Sequence, residues 1–169
     1  MSSTTSSQRD FRPYLLLIAA IVIVLDRLSK MWIDKHLERG HTITVIPGFF
    51  TISHVFNYGA AMGLLASVPP DMVRKGLIAF SIIAVLVVLL MIWRLGRVFS
   101  LTGVALGLIL GGAVGNLYDR VKLHYVVDFL WVQIVHYHWP DFNLADSCIV
   151  IGACLLLLEI FRAQPAEAE

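Results

Sequence analysis

Two aspartates lie in surroundings where a carboxylate needs an explanation. Asp128 is flanked by apolar residues on both sides, and Asp146 opens a long apolar stretch three residues after Asn143. If the two carboxylates meet in a low-dielectric site, they share one proton, because both cannot ionise easily. Such a pair can activate a water molecule and protonate a leaving amine, which is the chemistry of aspartic proteases.

A structural role is the alternative for one of the two aspartates. At the start of a helix, the Asp146 carboxylate can cap backbone amides and complement the helix dipole. That interpretation leaves Asp128 as an uncompensated carboxylate in an apolar, aromatic segment. Spacing alone therefore leaves both interpretations open.

Other charged residues lie near the ends of apolar segments. Asp26 and Lys30 are four residues apart, so on a helix they share one face and favour a structural ion pair. Asp119 and Arg120 follow a different apolar segment. They can anchor that segment, bind a lipid headgroup or contact a substrate, and the sequence favours none of these.

Other chemistries have weaker support. His136 and His138 lack a third metal ligand at motif spacing, so we predict no metal site. Ser29 and Lys30 resemble a nucleophile and its base, but adjacent helical residues do not face each other. The sequence contains no nucleotide-binding or serine-hydrolase motif, and we predict no cofactor.

The composition is that of a membrane protein. Of the 169 residues, 58% are hydrophobic and 15% are charged, and the mean hydropathy is +0.78, whereas an ordinary globular domain is about 25% charged. The net charge of +1 and the lack of a basic stripe exclude a nucleic-acid partner. Cys148 and Cys154 are six residues apart, so on a helix they point to different faces and do not bridge.

Four stretches approach the roughly 20 residues that a membrane-spanning helix needs, which predicts an all-α membrane protein. The first contains Asp26, Arg27 and Lys30, and a cleaved signal peptide is its alternative interpretation. No small-x-small cleavage site follows its apolar core, which favours an uncleaved span. The predicted spans are residues 14–33, 76–93, 98–118 and 144–161 of a single domain.

The connections between the spans place most polar residues on one face of the membrane. The tight turn 94–97 joins the second and third spans, so the long loops 34–75 and 119–143 emerge together on the opposite face. A count of positive charges would put that face in the cytoplasm. We predict disordered tails at residues 1–10 and 163–169.

The long loops and the third span have patterns of their own. The stretches 42–46 and 50–56 flank Pro47-Gly48 and predict a β-hairpin or ribbon. The second loop is rich in Tyr, Trp and Phe, which predicts an amphiphilic segment along the membrane interface. A glycine at every fourth position of the third span predicts close helix packing; these glycines are Gly103, Gly107, Gly111 and Gly115.

Five stretches, taken together, resemble the bacterial lipoprotein signal peptidases, also called signal peptidase II. Each is weak alone, but their order and spacing match the family over the whole chain except its tails. Met62 stands where the family often has Phe. The matching stretches are Asp26-x-x-x-Lys30, residues 57–61 (NYGAA), residues 111–116 (GGAVGN) with Asp119-Arg120, residues 127–129 (VDF) and residues 142–147 (FNLADS).

The resemblance implies a four-helix aspartic endopeptidase of the bacterial inner membrane. Both termini would be cytoplasmic and the active site would lie near the outer leaflet, which is the orientation opposite to that of the charge count. The implied partners are membrane lipid and a diacylglyceryl-modified prolipoprotein, cut just before its lipidated cysteine. We expect a monomer without cofactor.

The resemblance also implies the roles of individual residues. Asp128 and Asp146 would be the catalytic pair, and we hypothesise that the hairpin and the aromatic loop flank a groove for the lipidated cysteine. Residues expected to bind substrate or support the pair are Asn57, Gly59, Asn116, Asp119, Arg120, Asn143, Ala145, Asp26 and Lys30.

Two other classes of function remain alternatives at the level of sequence. A small proton-coupled transporter or channel component would use intramembrane carboxylates as a proton relay, and it predicts acidic groups near mid-bilayer and a polar track through both leaflets. The turn-side halves of the second and third spans carry no acid, which disfavours that class. A structural assembly factor would need only the glycine ladder, which is the set Gly103, Gly107, Gly111 and Gly115, and it predicts no chemistry at either aspartate.

Overall fold

The computed structural model describes residues 10–59 and 68–162, which form four helices and four strands. Apart from Asp10, the two predicted tails lie outside the described residues, as do Ala60, Ala61 and Met62. The helices are α1 (Arg12–His36), α2 (Pro70–Leu95), α3 (Leu101–Lys122) and α4 (Leu144–Arg162). The strands are β1 (Thr42–Ile46), β2 (Phe50–Asn57), β3 (Val126–Ile134) and β4 (Tyr137–His138).

Three of the four helices are long and apolar enough to cross a membrane: α2, α3 and α4. Helix α1 has 25 residues but includes Asp26, Arg27 and Lys30, so its role as a fourth span stays a prediction. Each helix contains most of the corresponding predicted span, with ends that differ by up to six residues. The largest difference is at α2, which starts at Pro70 because proline is well suited to the first helical turn.

Helix α3 lies at the centre and packs against the other three helices. The glycine ladder faces α1 at very short range: a Cβ added to Gly107 would lie 2.9 Å from the Leu15 carbonyl oxygen. At Gly111 it would lie 2.6 Å from Val22 Cβ and 2.8 Å from the Ala19 carbonyl oxygen. The predicted close packing is therefore confirmed, and its partner is α1.

We expect Gly111→Ala to destabilise the bundle by about 1–3 kcal/mol, because the added methyl overlaps α1. Gly76→Ala is the matched control, since a Cβ there meets no atom within 4 Å. In a helix interior the control should be stabilising by about 0.5–1 kcal/mol. Thermal unfolding of both variants in detergent measures the difference, and equal midpoints would contradict this packing.

The strands form one antiparallel sheet in the order β1-β2-β3-β4. The predicted hairpin is confirmed, since β1 and β2 pair around Pro47-Gly48. Because β3 lies in the second long loop and pairs with β2, both long loops are on the same face of the bundle, as the parity of the spans predicts.

The second long loop differs from the prediction. The expected amphiphilic segment folds as β3 and β4, and its backbone groups pair with β2 and with Phe142 instead of lying unpaired along a surface. The hypothesis of a groove for the lipidated cysteine between the hairpin and this loop stays a prediction: β2 and β3 are adjacent strands of one sheet, and a cavity lies between the end of β2 and the segment before α4.

Candidate active site

Asp128 lies near the start of β3 and is 2% exposed. Two side-chain amides donate to its carboxylate: Asn57 Nδ2 to Oδ2 at 2.9 Å and Asn143 Nδ2 to Oδ1 at 2.7 Å. A buried carboxyl group with these amide partners is held in one orientation. The flanking residues Val127 and Phe129 pack into an apolar cluster, which anchors the strand on both sides of the carboxyl group.

The surroundings of Asp128 favour its protonated form. Burial raises the pKa of Asp128 from its ordinary value of 3.8 to about 7, and the nearby charge of Asp146 acts in the same direction. The hydrogen bonds from Asn57 and Asn143 and the charge of Lys30 lower this pKa, but burial outweighs them. At neutral pH the carboxyl group is therefore poised between its two protonation states.

A bulge in β2 brings Asn57 to Asp128. The register shifts between Ile52 and Val55: Ile52 is opposite Leu130, whereas Val55 is opposite Asp128. The side of the sheet that carries Ile52 therefore continues with the odd-numbered residues Val55 and Asn57. Without the extra residue, Asn57 would point to the other side of the sheet.

Gly59 holds the Asn57 side chain in place. Its backbone N–H donates to Asn57 Oδ1 at 2.7 Å, which turns the amide nitrogen toward Asp128. Gly59 has φ +95°, a conformation that favours glycine, and a Cβ there would overlap Leu77 Cδ1. Gly59 is the glycine of the NYGAA stretch, residues 57–61.

Asp146 and Asn143 cap the start of α4 reciprocally. Asp146 N donates to Asn143 Oδ1 at 3.0 Å, and Asn143 N donates to Asp146 Oδ2 at 3.2 Å. This is the geometry of a capping box, in which two residues three apart satisfy each other's free amides. The predicted capping role of Asp146 is confirmed, and it uses only one of the two carboxylate oxygens.

Asn116 and Asn143 link the two carboxylates. Asn116 Nδ2 donates to the other Asp146 oxygen, Oδ1, at 2.7 Å. Asn143 Nδ2 donates to Asn116 Oδ1 at 3.2 Å as well as to Asp128. One asparagine therefore contacts both aspartates, through its side chain at Asp128 and through its backbone at Asp146.

A buried ion cluster lies directly behind Asn116. Lys30 Nζ is fully buried and lies 2.8 Å from Asp26 Oδ2, 2.8 Å from Asp119 Oδ2 and 3.1 Å from Asn116 Oδ1. Arg27 adds a second cation, 3.1 Å from Asp119 Oδ1. The predicted pair of Asp26 and Lys30 is confirmed, and it belongs to a larger network that reaches Asp146 through Asn116.

Asp26 also fixes the position of α4. Its Oδ1 accepts from the backbone N–H of Ala145 at 3.1 Å, across 119 residues of sequence. Ala145 is fully buried against α3, and its carbonyl oxygen fills the space that a Cβ on Gly112 would need. The residue before Asp146 is therefore held by α1 on one side and by α3 on the other.

Arg120 lies one turn after Asn116 and donates to the Asn116 carbonyl oxygen at 3.3 Å. Its positive charge acts on Asp146 and Asp128. It borders a cavity of about 340 Å³ between α2, α3 and α4, together with Asn116 and Asp146. The remaining lining of that cavity is apolar except for Ser81, and it includes Leu77, Phe80, Ala84, Ile109 and Ile149.

A second cavity borders Asp146 on the side of the sheet. It has a volume of about 370 Å³ and lies between α4, strand β3 and the segment 139–142 that precedes α4. Apart from Asp146 and Ser147 its lining is apolar or aromatic, with Val132, Ile134, Trp139, Phe142, Val150 and Ile151. Asp146 thus stands between two apolar grooves.

All the predicted site residues fall into this one region, but sequence reasoning missed two contacts. Arg27 was counted only as a charge in the first span, although its spacing from Asp26 and Lys30 on one helix was visible. His54 is buried, with Nδ1 2.7 Å from the Leu37 carbonyl oxygen and Nε2 3.0 Å from Asp34 Oδ1. No sequence pattern indicated this contact between β2 and the end of α1. Within residues 10–59 and 68–162, no three His, Cys, Asp or Glu residues form a candidate metal site.

Comparisons with known proteins match this architecture over most of its length. The family model described as signal peptidase (SPase) II matches residues 18–162. A lipoprotein signal peptidase of Ectopseudomonas mendocina (strain ymp) is 42% identical over 173 residues, which covers 97% of this chain and 96% of the relative. One of Solibacter usitatus (strain Ellin6076) is 39% identical over 145 residues, with coverage of 86% and 88%.

A solved structure has the same fold. It is a bacterial membrane enzyme determined by the in meso method at 2.3 Å resolution, with a TM-score of 0.82 and 30% sequence identity. The alignment covers 96% of this chain and 97% of that one. The motifs, the fold and these relatives agree, and the chain belongs to the signal peptidase II family.

Proposed function

We propose that this protein is an aspartic endopeptidase that removes the signal peptide from diacylglyceryl-modified prolipoproteins, cleaving just before the lipidated cysteine. The observation that carries this proposal is the pair of carboxylates joined by Asn143 in a member of this family. Asp128 is buried with a raised pKa, whereas Asp146 is only partly buried between two apolar grooves. Two carboxyl groups in different surroundings suit the two opposite proton transfers of peptide hydrolysis.

In the proposed mechanism Asp146 is ionised and Asp128 is protonated. Asp146 takes a proton from water while the water oxygen bonds to the scissile carbonyl carbon, and Asp128 donates its proton to the carbonyl oxygen. Collapse of the tetrahedral intermediate breaks the C–N bond, and the Asp146 proton passes to the leaving cysteine nitrogen. The carbonyl re-forms as a carboxylic acid and the proton returns to Asp128, so no covalent enzyme intermediate is needed.

The apolar grooves on both sides of Asp146 support a lipid-anchored substrate. A signal peptide and two acyl chains are all apolar, and the grooves of about 340 and 370 Å³ open beside the carboxylate that would activate water. Among the described residues that line the groove beside the sheet, only Ser147 and Asp146 are polar. We propose that the signal peptide and the lipid chains occupy these two grooves.

We further propose a location in the bacterial inner membrane with the sheet and the two aspartates near the outer leaflet. Both termini would then be cytoplasmic, because the turn between α2 and α3 and the start of α1 meet at the opposite end of the bundle. Phe11 N donates to the Arg97 carbonyl oxygen there, and Arg12 packs over the Trp93 ring. We propose a monomer, since the two carboxylates and their partners all come from one chain.

The test of this function is release of a signal peptide from a lipid-modified prolipoprotein by the purified protein in detergent. We expect release with and without a metal chelator, and none from the same precursor lacking its diacylglyceryl group. Mass spectrometry should place the cut directly before the lipidated cysteine. Failure to cleave the lipid-modified precursor under conditions that support a known family member would reject the proposal.

The raised pKa of Asp128 predicts the pH dependence of cleavage. Above a pKa of about 7 the Asp128 proton is lost and a second negative charge appears beside Asp146, so kcat/KM should fall as the pH rises through that value. Asn57 lowers this pKa by donating to the carboxylate, so Asn57→Ala should move the alkaline limb to higher pH. A limb that stays in place or moves to lower pH would contradict this assignment.

A further inference from the structure

A third cavity borders Asp128, and it differs from the two apolar grooves, which border Asp146. We call it the loop cleft; it has a volume of about 270 Å³ and includes Asp128. Among the described residues, its other lining residues come from the end of β2 and from the segment before α4, and none of these lies on a helix. They include Val55, Asn57, Tyr58, Pro140 and Asp141.

The position of the loop cleft suits the part of the substrate that lies outside the membrane. If the proposed function is correct, as this inference requires, the signal peptide and the acyl chains stay with the helices. The mature chain that follows the cysteine is polar and must extend away from the membrane. In contrast to the two apolar grooves, the described lining of the loop cleft consists of strand and loop residues on the Asp128 side.

The Asp141 side chain places a carboxylate at a defined position in the loop cleft. Ser53 Oγ donates to Asp141 Oδ1, which holds the carboxylate between β2 and the segment before α4. Ser53 itself is 3% exposed, so this hydrogen bond is anchored in the sheet. Arg39 packs over the Phe56 ring at 4.4 Å but does not line the cleft.

We propose that the loop cleft receives the first residues of the mature chain, and that Asp141 favours a basic over an acidic side chain directly after the lipidated cysteine. Opposite charges attract across a partly solvated cleft, whereas a like charge beside Asp141 is repelled. The expected preference is about fivefold in kcat/KM, which corresponds to the upper end of the range for solvent-accessible ion pairs. Asp141 is thus a specificity-determining residue that takes no part in the proton transfers.

The experiment compares two lipid-modified prolipoproteins that differ only in Lys or Asp after the cysteine. Wild-type protein should cleave the Lys precursor about fivefold more efficiently than the Asp precursor. Asp141→Asn should bring the ratio close to one, whereas Asp141→Glu should keep it above one. Asp10→Asn makes the same charge change beside Arg12 at the opposite end of α1, and it should leave the wild-type ratio unchanged.

The outcomes separate this inference from the proposed function. Cleavage of both precursors at a ratio of one or below in the wild type, or a fivefold ratio that survives Asp141→Asn, would overturn the role of Asp141. If Asp141→Asn does not fold, the test is the cleavage ratio of the wild-type protein. The preference for the Lys precursor should then be lost at high salt, because salt screens the attraction to Asp141. Wild-type protein that cleaves neither precursor would overturn the proposed function and this inference with it.

Discussion

Asp128→Asn is expected to lower the turnover number for signal-peptide release about a thousandfold or more. The amide side chain cannot transfer the proton that polarises the scissile carbonyl, and loss of a positioned acid or base costs about 10²–10⁴-fold. The substitution keeps the size of the side chain. It also places an NH₂ group opposite the two amides of Asn57 and Asn143, which both donate to the native carboxylate.

Loss of activity in this variant must be separated from loss of fold. One of the two amide hydrogen bonds will be missing, which costs about 1 kcal/mol, so most molecules should remain folded. The thermal midpoint and the elution volume in detergent measure this directly. Asp10→Asn serves as the matched control, with near-normal turnover expected, and near-normal turnover of Asp128→Asn would refute its catalytic role.

Lys30→Met is expected to destabilise the protein by about 3–5 kcal/mol, the usual cost of removing one partner from a buried ion pair. Methionine fills a similar volume, but it leaves Asp26 without a cation and leaves Asp119 with Arg27 alone. Activity should fall too, because Lys30 Nζ also donates to Asn116 Oδ1 and Asn116 holds Asp146.

Lys35→Met is the matched control for this prediction. Lys35 is exposed in the last turn of α1, so its replacement should change the thermal midpoint little. Adding Asp26→Asn to Lys30→Met should recover part of the lost stability, because it removes one uncompensated charge. Equal midpoints for the two lysine variants would mean that the buried cluster contributes nothing to stability.

Structural features that arise from short, repeating sequence patterns could be predicted from the sequence. Turn residues between two β-branched stretches predicted the hairpin, and a glycine at every fourth position predicted close helix packing, which the structure shows to be against α1. Apolar length predicted the three helices that are long enough to span a membrane. Each of these features depends on residues that are close along the chain.

Structural features that depend on contacts between residues far apart in the sequence could not be predicted from it. The aromatic residues of the second loop suggested a membrane surface, but Val126 to Ile134 form a strand because β2 offers an edge to pair with. The β2 bulge that turns Asn57 toward Asp128 has no sequence signature of its own. The hydrogen bond from Ala145 to Asp26 joins residues 119 apart, so only the folded bundle reveals that α1 positions α4.

Residue types and their surroundings indicated Asp128 and Asp146 as a candidate pair, the resemblance to a family favoured its catalytic role, and the geometry supplies a physical reason for each supporting residue. Asn143 orients both carboxyl groups, and Gly59 orients Asn57. Asn116 connects Asp146 to Lys30 of the buried ion cluster. Sequence reasoning placed Asp146 at a helix start as a helix cap. In the structure one carboxylate oxygen accepts from Asn143 N at the start of α4 and the other, Oδ1, accepts from Asn116 Nδ2.

The most direct test of the central claim, that the two aspartates act as one acid–base pair, is a comparison of single-turnover cleavage rates. The rates are measured for Asp128→Asn, Asp146→Asn and the double variant with the same lipid-modified prolipoprotein. Because members of such a pair act as a unit, each single variant should lose about as much rate as the double variant. A double variant whose loss equals the product of two independent losses, or a single variant with near wild-type rate, would contradict the account.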